Sequence, residues 1–175
     1  MRRLLLLAAM SLATTMLFVA PAAATPPQDV TITLAEAFHA NGPCTGDITA
    51  SGGVFGQSTT GSMECQSFSP VGAPWQLPPT AKPPHLFEYT AADQYTFAGG
   101  SFLITFQATC TIVAADPFPG PQTIACDGNW RVNGGTGDYV GLKGTGTFTE
   151  LQQISDPISF VGTGTVTEVG KMHID

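Results

Sequence analysis

Gly144-Thr145-Gly146-Thr147-Phe148-Thr149-Glu150 returns eighteen positions later as Gly162-Thr163-Gly164-Thr165-Val166-Thr167-Glu168. Each copy alternates with the two-residue period of a β-strand, in which successive side chains point to opposite faces. Ser155-Asp156-Pro157, between the copies, has the residue types of a turn. The two copies are therefore expected to form neighbouring antiparallel strands. Glycine at alternate positions removes side chains from one face, which suits the tight curvature of a barrel or the close approach of a covering segment. Glu150 and Glu168 hold matching places in the repeat and are expected to share the outer face.

Moving outward from the repeat, the same period recurs. Val30, Ile32 and Leu34 alternate with threonine. Cys44 to Ala50 and Gly53 to Cys65 are Gly-, Ser- and Thr-rich runs with weaker faces. Leu86 to Thr90 and Gln94 to Phe97 carry aromatic residues, and Gly99-Gly100 is a hairpin turn. Ser101 to Ala114 is the longest β-rich run, with Phe102, Ile104, Phe106, Ala108, Cys110 and Ile112 on one face. Gln122 to Val132 returns with Ile124, Cys126, Gly128 and Trp130 on one face, or with the opposite parity where a bulge intervenes. No helical period is present beyond a short helical turn at Asp138 to Leu142. The expected fold is all-β, a single closed antiparallel β-barrel of about eight strands spanning residues 29–170. Closure removes the bare strand edges an open sheet would leave. A two-sheet β-sandwich is the alternative.

The ends and the longest connection break the pattern. Arg2-Arg3, the apolar run Leu4 to Val19 and Pro21-Ala22-Ala23-Ala24 have the layout of a signal peptide, residues 1–24, with cleavage after Ala24. A mobile leader is expected at 25–28 and a tail at 171–175. Six prolines between Ser69 and His85 argue for a surface loop, 69–85, serving as a connector or as a lid over a cavity mouth.

An exported chain reads its four cysteines as two disulfides. Three pairings exist in principle. Cys110 and Cys126 flank a Pro-rich turn and can face each other across a hairpin, which leaves Cys44 with Cys65. Each bridge closes a loop of roughly 15–20 residues, worth on the order of 3 kcal/mol in the chain-entropy model. No C-x-x-C pair is present, which argues against a thiolate metal site.

Charge narrows the partners. Losing residues 1–24 removes two of the six basic residues and none of the thirteen acids, so the net charge moves from −7 to −9. Nucleic acid and anionic lipid surfaces need clustered Lys and Arg, and are disfavoured. No second apolar run is long enough for a membrane span, so no membrane association is expected after cleavage.

The stretch Val132-Asn133-Gly134-Gly135-Thr136-Gly137-Asp138-Tyr139-Val140-Gly141-Leu142-Lys143-Gly144-Thr145-Gly146-Thr147-Phe148 resembles the allene oxide cyclase and dirigent superfamily. In that superfamily a strand ends in a glycine cluster, an aromatic follows, and G-x-x-G-x-G opens the next strand. The chain looks most like the exported bacterial members. The resemblance implies an eight-stranded antiparallel barrel with an apolar interior. In plant members that interior holds a fatty-acid-derived epoxide or couples phenoxy radicals. Read as chemistry, Gly134, Gly135 and Gly137 permit backbone angles closed to other residues. Tyr139 is expected to plug a barrel end, with Gly141, Gly144 and Gly146 passing close to it.

No catalytic constellation is visible. His39, His85 and His173 lie far apart and read as solvated, no Ser sits in a G-x-S-x-G elbow, and no cofactor or metal motif is present. Glu36, Glu88 and Asp93 lie within or beside apolar strands, where an inward acid would be held protonated by burial. The candidate ligand-binding residues are Glu36, Glu88, Tyr95, Phe102, Phe106 and Trp130, within a wider aromatic set that includes Trp75, Phe87, Tyr89, Phe97 and Phe148. The expected function is an exported, disulfide-stabilised, non-catalytic barrel that binds a small apolar ligand or serves as a surface or scaffold protein. The alternative is an allene oxide cyclase-like or dirigent-like cyclase or isomerase acting on a hydrophobic substrate. A third reading is an interaction protein that uses the Pro-rich loop.

Overall fold

The computed structural model describes residues 25–39, 44–71, 85–115 and 120–175. Eight strands follow one another: β1 (Gln28–Phe38), β2 (Thr45–Ser51), β3 (Thr59–Val71), β4 (His85–Phe97), β5 (Gly100–Ala115), β6 (Gln122–Gly135), β7 (Leu142–Asp156) and β8 (Val161–Ile174). Single 3-10 turns at Gly53–Phe55 and Gly137–Tyr139 interrupt the series. Each strand pairs antiparallel with its sequence neighbour, and β1 pairs with β8 to close the barrel. The sandwich alternative is excluded.

Alternation sets the inside. In β1, Val30, Ile32, Leu34, Glu36 and Phe38 are buried while Thr31 and Thr33 are exposed. In β5 the expected row from Phe102 to Ile112 points inward. The two halves of the glycine repeat are neighbours, with Phe148 opposite Glu168 and Glu150 opposite Val166. Their glycines line the interior. Gly144, Gly146 and Gly170 leave the space that the Trp130 indole fills, and Trp130 donates its Nε1–H to the Thr147 carbonyl at 3.1 Å. The tryptophan, not Tyr139, is what Gly144 and Gly146 accommodate.

The barrel has two unlike ends. One is sealed by aromatic rings: Tyr139 packs on Phe102 with centroids 5.3 Å apart, and Phe55 packs on Phe97 at 5.3 Å. Tyr139 is thus the expected plug. Gly134 and Gly137 take the positive φ values of 91° and 58° that turn the chain beneath it. Gly135 does not; a Cβ there would meet the Tyr139 backbone and Cβ instead. The 3-10 turn ends at Tyr139, three residues short of the expected limit.

Several expected boundaries move. The tail at 171–175 is ordered through residue 174 as part of β8, where Met172 pairs with Gln28. The leader at 25–28 is tied down, since the Thr25 amide donates to the Ile174 carbonyl at 3.2 Å. His173, expected in a tail, lies in β8 beside Asp175. The Pro-rich loop is shorter than 69–85: Ser69 to Val71 continue β3 and His85 opens β4, while residues 72–84 lie outside the described residues, as does the signal segment 1–24. Pro70 is tolerated because β2 meets β3 only as far as Glu64. Past the Cys65 amide, which donates to the Cys44 carbonyl at 3.0 Å, the described pairing of β3 is with β4, and Pro70 lies on that outlying stretch.

Candidate ligand-binding chamber

The end opposite the plug opens into a chamber of about 630 Å³. It forms where β1, β7 and β8 carry carboxyl groups inward and β4 carries tyrosines. Parity does the placing. Tyr89, Asp93 and Tyr95 share the inner face of β4, Glu150 and Gln152 follow Phe148 on β7, and Glu168 follows Val166 on β8. Glu36, Gly164 and Gln152 occupy one rung across three strands. The missing side chain at Gly164 is what makes room there, since a Cβ would collide with the Glu36 carboxyl.

The polar groups form two linked sets. Tyr89 Oη donates to Glu150 Oε2 at 2.8 Å, Gln152 Nε2 donates to Glu150 Oε1, and the Glu36 carboxyl lies close enough to Glu150 for the two to interact. Deeper in, Tyr95 Oη donates to Glu168 Oε1. Glu36 Oε1 and Glu168 Oε2 are buried without a hydrogen-bond partner.

Burial dominates the protonation of these acids. It drives Glu36 far above the usual carboxyl range, and the neighbouring Glu150, Asp93 and Glu168 add to the effect. Asp93 is pushed up to about 7 by burial and then by Glu150. Glu168 is pushed up to about 8 by burial, against the opposing hydrogen bond from Tyr95 and with a further push from Asp93. Burial likewise raises both tyrosines, which stay protonated donors. Burial therefore holds Glu36, Glu168 and both phenols protonated at neutral pH and leaves Asp93 to titrate near it.

The walls and mouth are apolar. Leu34, Phe106, Phe148 and Val166 line the sides. At the rim Phe160 packs at a tilt against Phe38, with centroids 5.1 Å apart, and against Phe68 at 6.2 Å. Phe160 has φ 51°, an uncommon backbone state for an aromatic residue. The turn before it is held by Asp156 Oδ1, which accepts from the Ile158 amide at 2.9 Å and the Ser159 amide at 3.3 Å. The Cys44–Cys65 disulfide borders the same mouth, and Cys110–Cys126 ties β5 to β6 inside the barrel. Both bridges are the expected ones, and they fit an oxidising environment.

The candidate residues divide. Glu36, Tyr95 and Phe106 meet in the chamber. Phe102 belongs to the plug at the sealed end, and Trp130 is packed against the glycines of β7 and β8. Glu88 is exposed on the outer face, because Phe87 and Tyr89 take the inner one. Glu150 and Glu168, expected outside, are buried at 7% and 0% exposure. Phe148 was the available signal: once an aromatic is placed inward, residues two positions away must follow it. Tyr89, Asp93 and Gln152 join the site by the same rule.

Among the described residues no group of three or more His, Cys, Asp or Glu is placed to hold a metal ion, and no helix is long and apolar enough to cross a membrane. No protein-family model matches the chain, and no curated protein or solved structure matches it either.

Proposed function

We propose that the protein binds a small, largely apolar molecule inside the barrel. The single observation behind this is the chamber itself, about 630 Å³ with aromatic and aliphatic walls and a few convergent polar groups. That size lies within the usual range of small-molecule sites, roughly 300–1,000 Å³. The sealed opposite end makes it a blind pocket. Export to a secreted or periplasmic location, after removal of a signal peptide, is part of the same reading and is supported by the two disulfides. The outer face mixes exposed Thr33, Gln107 and Thr147 with exposed Leu103, Leu151 and Val169. Kinship with the allene oxide cyclase and dirigent superfamily is likewise proposed, on the glycine motif together with the eight-stranded meander.

Titration with an apolar fluorescent probe tests the binding. Val166→Phe puts a larger side chain into the chamber wall, and the probe signal is expected to disappear while the circular dichroism of the fold persists. A folded Val166→Phe protein that still binds with unchanged affinity places the probe elsewhere and refutes the reading.

A second reading, a cyclase or isomerase, is favoured by one observation. Glu36 lines the chamber, and burial beside Glu150 holds its carboxyl protonated, an arrangement suited to proton transfer to a bound substrate. Its test is conversion of a fatty-acid-derived epoxide with chiral product analysis. Product distribution identical to that of spontaneous hydrolysis rules it out.

A further inference from the structure

Among the described residues the chamber contains acids but no Lys or Arg to pair with them. Among the described residues Arg131, Lys143 and Lys171 are all exposed on the outer face. The basic side chain at the chamber is His39, at the mouth. The groups facing inward are otherwise Glu36 on β1, Tyr89, Asp93 and Tyr95 on β4, Glu150 and Gln152 on β7, and Glu168 on β8. Glu36 is 8% exposed and lines the chamber; its Oε1 is buried against Gly164 without a hydrogen-bond partner, and a turn of the carboxyl would offer that oxygen to a donor in the chamber. A buried acceptor left empty is costly, and a donor that filled it would recover that cost.

An anionic ligand would find acids and no described cation here, and its charge would oppose the ionisation of each of them. A purely apolar ligand would leave the Glu36 acceptor empty. A neutral alcohol brings one donor. An ammonium brings three donors and a positive charge, on a group compact enough to sit between neighbouring carboxyls.

We propose that the chamber takes an amphiphile ending in a protonated amine, its ammonium seated among Glu36, Asp93 and Glu150 and its apolar body against Phe106, Phe148 and Val166. This rests on the chamber being a binding site and adds the chemistry of what it binds. Binding of the ammonium favours the ionised carboxyls, so protons leave the protein as the amine enters. Affinity for the amine therefore rises with pH while Asp93 is still protonated in the empty chamber, by up to about tenfold per pH unit for each proton released. It levels off once the acids that ionise are already charged.

The test compares decylamine, decanol and decanoate by isothermal titration of the disulfide-intact protein, at about pH 7.5 and about pH 5.5 and in buffers of different ionisation enthalpy. The expected result is that decylamine binds at least about tenfold tighter than decanol at the higher pH, with proton release, and that decanoate is weakest. Glu36→Gln is expected to abolish the preference for decylamine over decanol. Asp93→Asn serves the same comparison if Glu36→Gln fails to fold. Decanol binding as tightly as decylamine, or a preference that survives in the folded variants, overturns the inference and leaves the binding chamber standing. If none of the three probes binds, both readings fall.

Discussion

Replacing Glu168 with Gln should make the stability of the barrel less sensitive to pH. Glu168 is fully buried, and burial is the main reason its carboxyl holds a proton up to about 8, against 4.5 ordinarily. Below the unfolded-chain value, folded and unfolded states both carry the proton and no stability is lost. Between 4.5 and about 8 the unfolded chain releases its proton while the folded chain retains it. Unfolding then gains free energy with every rise in pH, at about 1.4 kcal/mol per unit. Over the whole window the loss is on the order of 5 kcal/mol for this one group. Glutamine keeps the size of the side chain and an oxygen to accept from Tyr95, but it has no proton to release. Urea unfolding of the disulfide-intact protein at a series of pH values measures the effect. The wild-type midpoint should fall steadily above pH 5, and Glu168→Gln should flatten that fall by about one proton, or about 3 kcal/mol between pH 5 and pH 7. Parallel pH profiles for the two proteins would show that Glu168 ionises alike in both states and would refute the buried-acid reasoning.

Other expectations follow from single contacts. Replacing Cys110 and Cys126 with Ala removes a bridge spanning 16 residues and should cost about 3 kcal/mol, read as a fall in melting temperature of about 6–12 °C. Trp130→Ala should cost about 3–5 kcal/mol, because Trp130 fills the interior between glycines and cannot be replaced by their collapse. Gly146→Val presses on the same indole from the other side and should cost about 1–3 kcal/mol, measured by denaturant midpoint.

The barrel was legible because its strands obey a two-residue period over long runs. Val30 to Leu34 and Phe102 to Ile112 fix their faces without ambiguity, and the repeat in β7 and β8 predicts their pairing. Local cysteine spacing, together with the turn between Cys110 and Cys126, was enough for the disulfides. The chamber was only half legible. Glu36 continues the parity of Leu34, so its inward place could be read. Glu150 and Glu168 were assigned outward because a carboxylate in an ordinary sheet seeks water. Only closure of the sheet shows that they meet Tyr89, Tyr95 and Glu36 from the far wall, and no local pattern encodes a contact across 61 or 73 residues. Glu88 erred the other way, because its apolar neighbours drew it inward although parity gives it the opposite face.

The seam between the first and last strands decides when this cylinder can be completed. A chain that is made, or threaded through a pore, from its N-terminus leaves β1 half-satisfied until Val161–Ile174 arrive. Each hairpin can zip up in turn, but the fourteen residues of β8 must travel back to β1 to lock the ring. Any product that stops short of residue 161 would carry two sticky borders instead of none, which marks it for aggregation or disposal before it can hold anything inside.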